Sequence, residues 1–534
     1  MKGPTTRIRR SLTELQDDYS NGNPKPLEAL MRAWKGIQEL PPGDKRSFFT
    51  FAGYHGEPFR GAGWGNSSYW GGYCNHGNVL FPTWHRVYLF QLEEALRSIP
   101  GCAEVTLPFW DETSSETLKN GIPWALTNET FTFSDGTEIL NPLASYRMPI
   151  NIVDHLSPFP DANYSKPKGY ETVRYPLSGL VGDLDKDATK AHNALYPNQA
   201  ENVKTLNSNI VQWLNSTFVI GNDPVPVGGV YEKFRNCLDA PNYTVFSNTS
   251  SASAWNDNAN QHVVALESPH NSIHLAVGGY EITGQADFSV IDGANGDMGE
   301  NDTAAFDPIF FFHHCFIDRV FWLWQNRHGA TDEIEIMAGY PGTNTVDNQG
   351  PTPGVAPNTW LTTSSPLDPF TLEENGIIRP YNSLDCINIE RQLGYSYGPG
   401  SLEDVPPPST EVIGEDVVAE KRIHVSGINR TQIRGSFLIS AFATIDGKHQ
   451  HIGTEAVLSR WHVNGCVNCQ AHLLAKATFA LPAEVHQSIA EKPLNTAVTV
   501  EVRTRDGLLG GRPKALAAAV ADTVGKQEFR VEYR

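Results

Sequence analysis

The sequence predicts a mainly α-helical region over residues 1–397 and an all-β, sandwich-like domain over residues 411–534. Helical spacing of apolar residues in three long segments predicts the first part. Alternation of apolar and polar residues in several short segments near the C-terminal end predicts the second part. Between them, the stretch GPGSLEDVPPPST at 398–410 has the Pro/Gly-rich composition of a linker.

The three helical segments differ in how much of their surface is apolar. The first runs from Thr83 to Ser98, directly after Pro82, with apolar residues on one face. The second runs from Pro269 to Gly278, where two consecutive glycines supply a stop. The third runs from Ala304 to His328 and is apolar nearly all round, so we expect it to lie deep in the core.

The C-terminal part contains four segments with a strand-like pattern, namely RIHVSG, GSFLISAFATI, AVTVEVRTR and EFRVEYR. It carries 15 basic and 13 acidic residues, a balance of +2, so the preceding part carries -21 of the total charge of -19. These opposite signs favour docking of the β domain on the helical part, although surface attraction of this kind contributes little free energy.

Composition excludes several classes of protein. With 60 acidic and 41 basic residues, the chain would repel nucleic acid and anionic membrane surfaces. No stretch approaches the ~18 apolar residues of a membrane span, and the basic start lacks the apolar segment of a secretory signal, so we expect a cytoplasmic location. The seven scattered cysteines do not form the pattern of a disulfide scaffold. The oligomeric state stays open, with a homo-oligomer allowed.

Histidines that share a helix face are the first candidates for chemistry. His270 and His274 are four residues apart, so both imidazoles project from one face within reach of one metal ion. The alternative is a solvated polar face. His313 and His314 lie in the buried third helix, where neighbouring residues diverge by about 100°, so only one of the two naturally faces a given ion. The other would be packed or hydrogen-bonded in the core.

A second group of histidines lies in the N-terminal third. His76 and His85 are nine residues apart and reach one ion only if His76 lies in a loop, which Gly77 and Pro82 allow. His55, on a flexible segment flanked by glycine, offers a third imidazole. All-histidine trios suit copper, zinc or iron and leave positions for a substrate, and spacing alone does not choose among these metals.

Two motifs resemble a known family. HGNVLFPTWHRVYLFQLE, from His76 to Glu93, and DPIFFFHHCFID, from Asp307 to Asp318, are similar to the two signature motifs of the tyrosinase, catechol oxidase and molluscan haemocyanin superfamily, and the similarity spans 47–397. The resemblance implies a dinuclear type 3 copper centre in a central four-helix bundle, with dioxygen as co-substrate. The implied ligands of the two ions are His55, His76 and His85 for one, and His270, His274 and His314 for the other.

The resemblance also implies roles for neighbouring residues. Cys74 and His76 match the Cys-x-His element whose sulfur becomes joined to the imidazole in fungal tyrosinases; a free thiol is the alternative. Glu267 and Asn271 match the pair that holds a basic water in members that hydroxylate monophenols. Without that role, Glu267 is a charge at a helix N-terminus and Asn271 a polar residue on a helix face. Asp318 and Arg319 are expected to form structural ion pairs.

The C-terminal domain resembles the extension that covers the copper site of fungal pro-tyrosinases and keeps them latent. In the segment EAVLSRW, where the extension usually offers an aromatic plug, this chain offers only Val457 or Leu458. Cys466 and Cys469 match a CxxC linked to copper loading in some of these extensions, although a redox pair or half of a zinc site would have the same pattern.

The implied activity is o-hydroxylation of monophenols and oxidation of o-diphenols to o-quinones, with small phenols as substrates and a role in melanin or other pigment formation. Two alternatives stay open. One is a catechol or o-aminophenol oxidase that does not hydroxylate monophenols. The other is a haemocyanin-like oxygen carrier, which would need a permanently covered site.

Overall fold

The molecule combines a helical region with a strand-rich one, which confirms the predicted fold class. The computed structural model describes residues 6–56, 73–153, 165–183, 185–220, 223–226, 229–258, 262–280, 296–344, 358–406, 421–445, 447–460, 473–481, 483–489, 492–505, 507–509 and 529–533. We call the described residues up to 406 the helical region and those from 421 the β region. Within the described ranges, no helix has the length and apolar character needed to cross a bilayer.

The helices of the described residues include all three segments predicted from the sequence. Their bounds are α1 (Leu12–Ser20), α2 (Lys25–Glu39), α3 (Phe48–His55), α4 (Phe81–Arg97), α5 (Ser115–Asn120), α6 (Lys186–Asn193), α7 (Gln199–Leu214), α8 (Val230–Cys237), α9 (Tyr243–Ser247), α10 (Thr249–Asn258), α11 (Glu267–Gly278), α12 (Ile309–His328), α13 (Ala483–Ile489) and α14 (Leu494–Ala497). Helix α12 begins at Ile309 rather than at Ala304, because Pro308 forms its N-cap and Ala304–Phe306 form a separate 3₁₀ turn.

The strands are short in the helical region and longer in the β region. Their bounds are β1 (Arg7–Arg9), β2 (Thr130–Thr132), β3 (Glu138–Leu140), β4 (Thr217–Ile220), β5 (Asp223–Pro226), β6 (Pro366–Glu374), β7 (Ile377–Asn382), β8 (Tyr395–Tyr397), β9 (Arg422–Asn429), β10 (Phe437–Ile445), β11 (Lys448–Val457), β12 (Leu474–Ala480), β13 (Val498–Thr504), β14 (Gly507–Leu509) and β15 (Arg530–Tyr533). In the β region, a four-stranded antiparallel sheet β11-β10-β13-β14 and a three-stranded antiparallel sheet β12-β9-β15 share a second apolar core, as in a sandwich.

Four helices of the helical region meet through aromatic and imidazole rings. Tyr88 of α4 packs against Phe51 of α3 and donates its hydroxyl to the Phe51 carbonyl. Phe310 of α12 contacts His55 of α3, with ring centroids 4.6 Å apart, and His274 of α11, with centroids 5.6 Å apart. These buried rings fix the relative positions of α3, α4, α11 and α12.

A buried ion-pair network joins the chain's start to the end of the helical region. Asp318 on α12 accepts from Arg86 Nε at 2.6 Å and from the hydroxyls of Tyr395 and Tyr397, each at 2.6 Å, and Arg9 lies 3.6 Å away. Burial acts to raise the pKa of Asp318, but the two guanidinium groups outweigh it and hold this pKa below its usual value. Asp318 is thus a structural ion-pair residue, as expected.

The first part of the predicted linker belongs to the helical region. Gly398 N donates to the Arg9 carbonyl at 2.8 Å, and Arg319 donates to the Ser401 carbonyl at 2.7 Å. Arg327 donates to the Val405 carbonyl at 2.9 Å. These contacts anchor residues 398–406, whereas residues 407–410 lie outside the described ranges.

Candidate metal centre

Helix α3 carries His55 as its last residue, rather than on the flexible segment expected from the sequence. Ser47 caps this helix by accepting from Thr50 N, and the apolar run that follows is buried, so the helix continues up to the glycine at 56. Helix α4 supplies His85, α11 supplies His270 and His274, and α12 supplies His314.

His76 lies in the loop between α3 and α4, as predicted. Gly77 has φ +67°, a conformation that favours glycine, and turns the chain directly after His76. The Gly77 N–H donates to Glu267 Oε1 at 2.6 Å, so the first residue of α11 holds this loop. Asn78 caps the next turn by accepting from Leu80 N at 2.8 Å.

The N-terminal triad, His55, His76 and His85, has its candidate ligand nitrogens within 4.8 Å of one another. The Nδ1 of His85 is 2.8 Å from the Phe81 carbonyl, which fixes the proton on Nδ1 and leaves a lone pair on Nε2. Nε2 of His76, Nε2 of His85 and both ring nitrogens of His55 are buried without a hydrogen-bond partner. Buried polar atoms are normally satisfied by a partner, and a bound ion would supply one here.

In the C-terminal triad, His270, His274 and His314, the ring nitrogens lie close to one another. Nε2 of His314 lies 3.2 Å from Nε2 of His270 and 3.3 Å from Nε2 of His274. The Nδ1 proton of His274 is directed to the Met298 carbonyl at 2.9 Å, and that of His270 to Asn271 Oδ1 at 3.0 Å. Nε2 of His270 and Nε2 of His274 therefore each direct a lone pair towards Nε2 of His314, an arrangement in which a bound cation can be held.

The protonation state of the six imidazoles suits metal binding. Burial lowers the pKa of His85 to about 3 and that of His274 to about 4, and it holds the pKa of His55 well below its usual value. Neutral imidazoles with free lone pairs are ligands for copper, zinc or iron. The residues therefore fit a metal in each triad.

His313 is directed differently from His314. One nitrogen of each of His270, His274, His313 and His314 lies within 4.8 Å of the others. However, Nδ1 of His313 lies 2.5 Å from Glu112 Oε1, whereas Nε2 of His314 lies 3.2 Å and 3.3 Å from the Nε2 atoms of the two α11 histidines. Burial raises the pKa of Glu112 well above its usual value, and the neighbouring Asp111 adds to the rise. The geometry thus favours His314 as the third ligand, with His313 held beside it. No local pattern predicts the contact between Glu112 and His313, because the two residues are 201 positions apart.

The two triads are neighbours. The ring of His85 stacks on that of His314, with centroids 4.4 Å apart and an interplanar angle of 16°. The rings of His76 and His270 have centroids 5.5 Å apart. Two adjacent three-histidine sites, one drawn from each half of the helical region, can hold two ions close enough to act on one small molecule.

Comparison with known proteins agrees with this arrangement. Residues 45–327 match the model of the common central domain of tyrosinase. The chain is 54% identical over 495 residues to tyrosinase HcTyr2 of Hahella sp. (strain CCB-MM4), covering 89% of this chain and 88% of that protein. The chain belongs to the tyrosinase family. Members of this family are type 3 copper enzymes that act on small phenols, and the chain is an enzyme of the tyrosinase type.

Relatives of similar length reinforce the tyrosinase assignment. A tyrosinase of Aspergillus oryzae is 45% identical over 542 residues, covering 96% of this chain and 95% of that one. A solved structure, tyrosinase from Burkholderia thailandensis at low pH, superimposes with a TM-score of 0.82 at 48% identity, covering 99% of this chain and 100% of that chain. These matches extend over both the helical and the β region.

A cavity of about 360 Å³ lies between the tyrosinase-type helical region and the β region. The helical region contributes His76, Glu267 and Asn271 to its walls, and the β region contributes both predicted plug candidates, Val457 and Leu458. Leu458 also packs against the core of the helical region, whereas Val457 packs against the core of the β region. The β region therefore lies over the histidine centre.

Cys74 is buried at the same cavity. Its Sγ accepts from Arg460 Nη2 at 3.3 Å and from Asn301 Nδ2 at 3.7 Å, and burial raises the pKa of its thiol. The cross-link between Cys74 and His76 stays a prediction. Arg460 had no signal in the sequence, because its contact with Cys74 joins residues 386 positions apart. Cys466 and Cys469 lie outside the described residues, so their role in copper loading also stays a prediction.

Proposed function

We propose that each histidine triad binds one copper ion and that the chain uses dioxygen to hydroxylate monophenols to o-diphenols and to oxidise these to o-quinones. The convergence of two adjacent sets of neutral, buried imidazoles, in a chain of the tyrosinase family, carries this proposal. Bound copper would supply the redox chemistry and the activation of dioxygen. The protein holds the ligands in place and excludes water from them.

Metal analysis combined with an activity assay tests this function. We expect about two copper ions per chain and oxidation of both L-tyrosine and L-DOPA once the β region no longer covers the cavity. Oxidation of L-DOPA alone would indicate a catechol oxidase. Copper binding without turnover of any phenol would favour an oxygen carrier.

Glu267 and Asn271 would together hold a water that accepts the proton of the phenol hydroxyl. A phenol has a pKa near ~10, so its hydroxyl must lose a proton before the oxygen binds a metal well. Asn271 Oδ1 faces His270, and both Asn271 and Glu267 line the cavity. A water between the carboxylate and the amide would accept the proton.

Glu267 also has a positioning role. Its Oε1 accepts from Gly77 N, and its Oε2 accepts from Thr249 N and Thr249 Oγ1, both at 2.8 Å. Replacing Glu267 would therefore displace the loop that carries His76 as well as remove a base. Asn271 is the better probe of proton transfer, because its side chain contacts one histidine and the cavity.

We expect Asn271→Ala to reduce kcat for L-tyrosine hydroxylation by ~10² or more, while kcat for L-DOPA oxidation changes by less than ~3-fold. The reason is that the proposed water held by Asn271 and Glu267 accepts the proton of the monophenol, the step on which hydroxylation depends. The control is Asn301→Ala, since Asn301 lines the same cavity but its amide faces Cys74. Equal losses of both activities would contradict the role of Asn271.

The β region would keep the enzyme latent by filling the entrance to the centre with Val457 and Leu458. We expect the intact chain to oxidise L-DOPA at least ~10-fold more slowly than the chain cut at a protease site placed within 407–420. Residues 398–406 should be left intact, because they are anchored on the helical region. Unchanged rates after complete cleavage and release of the β region would contradict latency.

A further inference from the structure

A single contact orients the buried imidazole of His313. Its Nδ1 lies 2.5 Å from Glu112 Oε1, and both side chains are fully buried. Within the described part of the chain, this is the one hydrogen bond of either side chain, since His313 Nε2 and Glu112 Oε2 are buried without a partner. The bond forms whether the imidazole donates to a carboxylate or a protonated carboxyl donates to the imidazole. Glu112 therefore sets the orientation of the His313 ring.

The ring of His313 packs against two members of the C-terminal triad. It stacks on His270, with centroids 5.2 Å apart and an interplanar angle of 24°, and lies edge-on to His274, with centroids 5.0 Å apart. One of its nitrogens also lies within 4.8 Å of a nitrogen of each member of the triad. A rotation of the His313 ring would therefore displace candidate ligands or bring a fourth imidazole nitrogen to the site.

The backbone next to Glu112 is anchored on two sides. Trp110 N donates to the Phe312 carbonyl of α12 at 3.1 Å, and Ser401 N donates to the carboxylate of Asp111 at 2.8 Å. Both anchors lie within two residues of Glu112, in the segment between α4 and α5. The carboxyl group of Glu112 is thus held in a fixed position relative to α12.

Stability alone does not explain a carboxyl group at this position. Removing a carboxyl from water for a single hydrogen bond costs free energy, and apolar side chains of similar volume often replace buried polar pairs without loss of stability. A role in holding the neighbouring histidines accounts for the pair better than a contribution to folding.

We propose that Glu112 is a positioning residue of the C-terminal copper site and that it acts through His313. Its bond keeps the His313 ring as a fixed support behind His270 and His274. Without this bond, the His313 ring turns towards other partners and weakens the hold of the triad on its ion. This inference rests on the copper binding of the proposed function.

Release of copper from the full chain tests this role without any phenol. The copper-loaded chain is mixed with excess EDTA, and metal analysis follows the copper that stays on the protein over time. The His274→Ala chain, which should keep only the ion of the N-terminal triad, identifies the release phase of that ion. All variants keep the β region over the cavity, so its cover affects them equally.

We expect E112L to accelerate release of the ion of the C-terminal triad at least ~10-fold, and release of the other ion to change by less than ~2-fold. E112Q should restore wild-type release, because an amide can both accept from and donate to an imidazole. In the H313F background, E112L should change the release rate by less than ~2-fold, because the bond that it breaks is already absent.

Unchanged or slower release in E112L, or an equal acceleration of both ions, would overturn the proposal. So would an undiminished effect of E112L in the H313F background, or a failure of E112Q to restore release. If E112L does not fold, E112D supplies the same contrast, because its carboxyl is one methylene shorter and no longer reaches the imidazole. A wild-type chain that binds no copper would overturn this inference together with the proposed function, whereas two bound ions without oxidation of any phenol would refute the proposed function alone.

Discussion

Replacing His274 by alanine should abolish oxidation of L-DOPA and lower bound copper from about two ions per chain to about one. His274 Nε2 lies 3.3 Å from His314 Nε2, and its Nδ1 is anchored on the Met298 carbonyl. Without this ring, the C-terminal triad keeps only two imidazoles, too few for a stable site with open positions for a substrate. The N-terminal triad should keep its ion, because its ligands come from other elements.

The matched control for this variant is His192→Ala. His192 is also a buried histidine, but its Nε2 lies 2.6 Å from the Pro176 carbonyl, outside both triads. We expect this control to lose stability while it keeps both copper ions and its activity. Full copper content in His274→Ala, measured by metal analysis on protein of unchanged circular dichroism, would refute the ligand assignment.

Local spacing explains why much of the histidine centre could be predicted from the sequence. The four-residue interval between His270 and His274 places both rings on one face of α11 wherever that helix packs. The position of His76 in a loop followed from Gly77 and Pro82. Proline is tolerated in the first turn of a helix but not in its interior, so α4 can begin only just before Pro82, at Phe81. Helix α11 begins two residues earlier than predicted, at Glu267, because Pro269 is tolerated in the first turn of a helix.

Contacts between distant parts of the chain could not be predicted in this way. The bond between Glu112 and His313 and the contact of Arg460 with Cys74 depend on how whole elements pack, and no local pattern encodes that packing. The position of His55 at the end of α3 was missed for a different reason, because periodicity alone does not assign a short apolar run to one kind of element.

The end of the helical region shows that composition alone does not reveal whether a Pro/Gly-rich segment is anchored on a neighbouring helix. Pro and Gly predict a connecting segment, but the guanidinium groups of Arg319 and Arg327 on α12 need acceptors. Carbonyls of Ser401 and Val405 supply them at 2.7 Å and 2.9 Å. An irregular segment rich in proline can therefore be an ordered part of a domain when arginines of a neighbouring helix bind its backbone.

The ion-pair network at Asp318 should give the largest loss of stability among substitutions outside the triads. Asp318→Asn leaves the guanidinium group of Arg86 buried without a carboxylate, whereas Arg9 keeps its ion pair with Glu93 at 2.8 Å. Removing one partner of a buried ion pair costs ~3–5 kcal/mol of the free energy of unfolding. The matched control is Asp385→Asn. Asp385 accepts two bonds from Arg379 at 2.7 Å and 2.8 Å, but this pair is partly exposed and should contribute only ~0–1 kcal/mol.

The pH dependence of urea unfolding distinguishes a charge effect from a packing effect at Asp318. The carboxyl has a lowered pKa in the folded state, so its ionisation stabilises the fold above its unfolded pKa of ~3.9, and this contribution is lost as the pH falls through the folded pKa. We therefore expect wild type and Asp318→Asn to differ most near neutral pH and to converge at pH values below ~4. A difference in unfolding free energy that stays constant from pH 7 down to pH 3 would mean that the shape of the side chain, rather than its charge, maintains the network that joins α12 to both ends of the helical region.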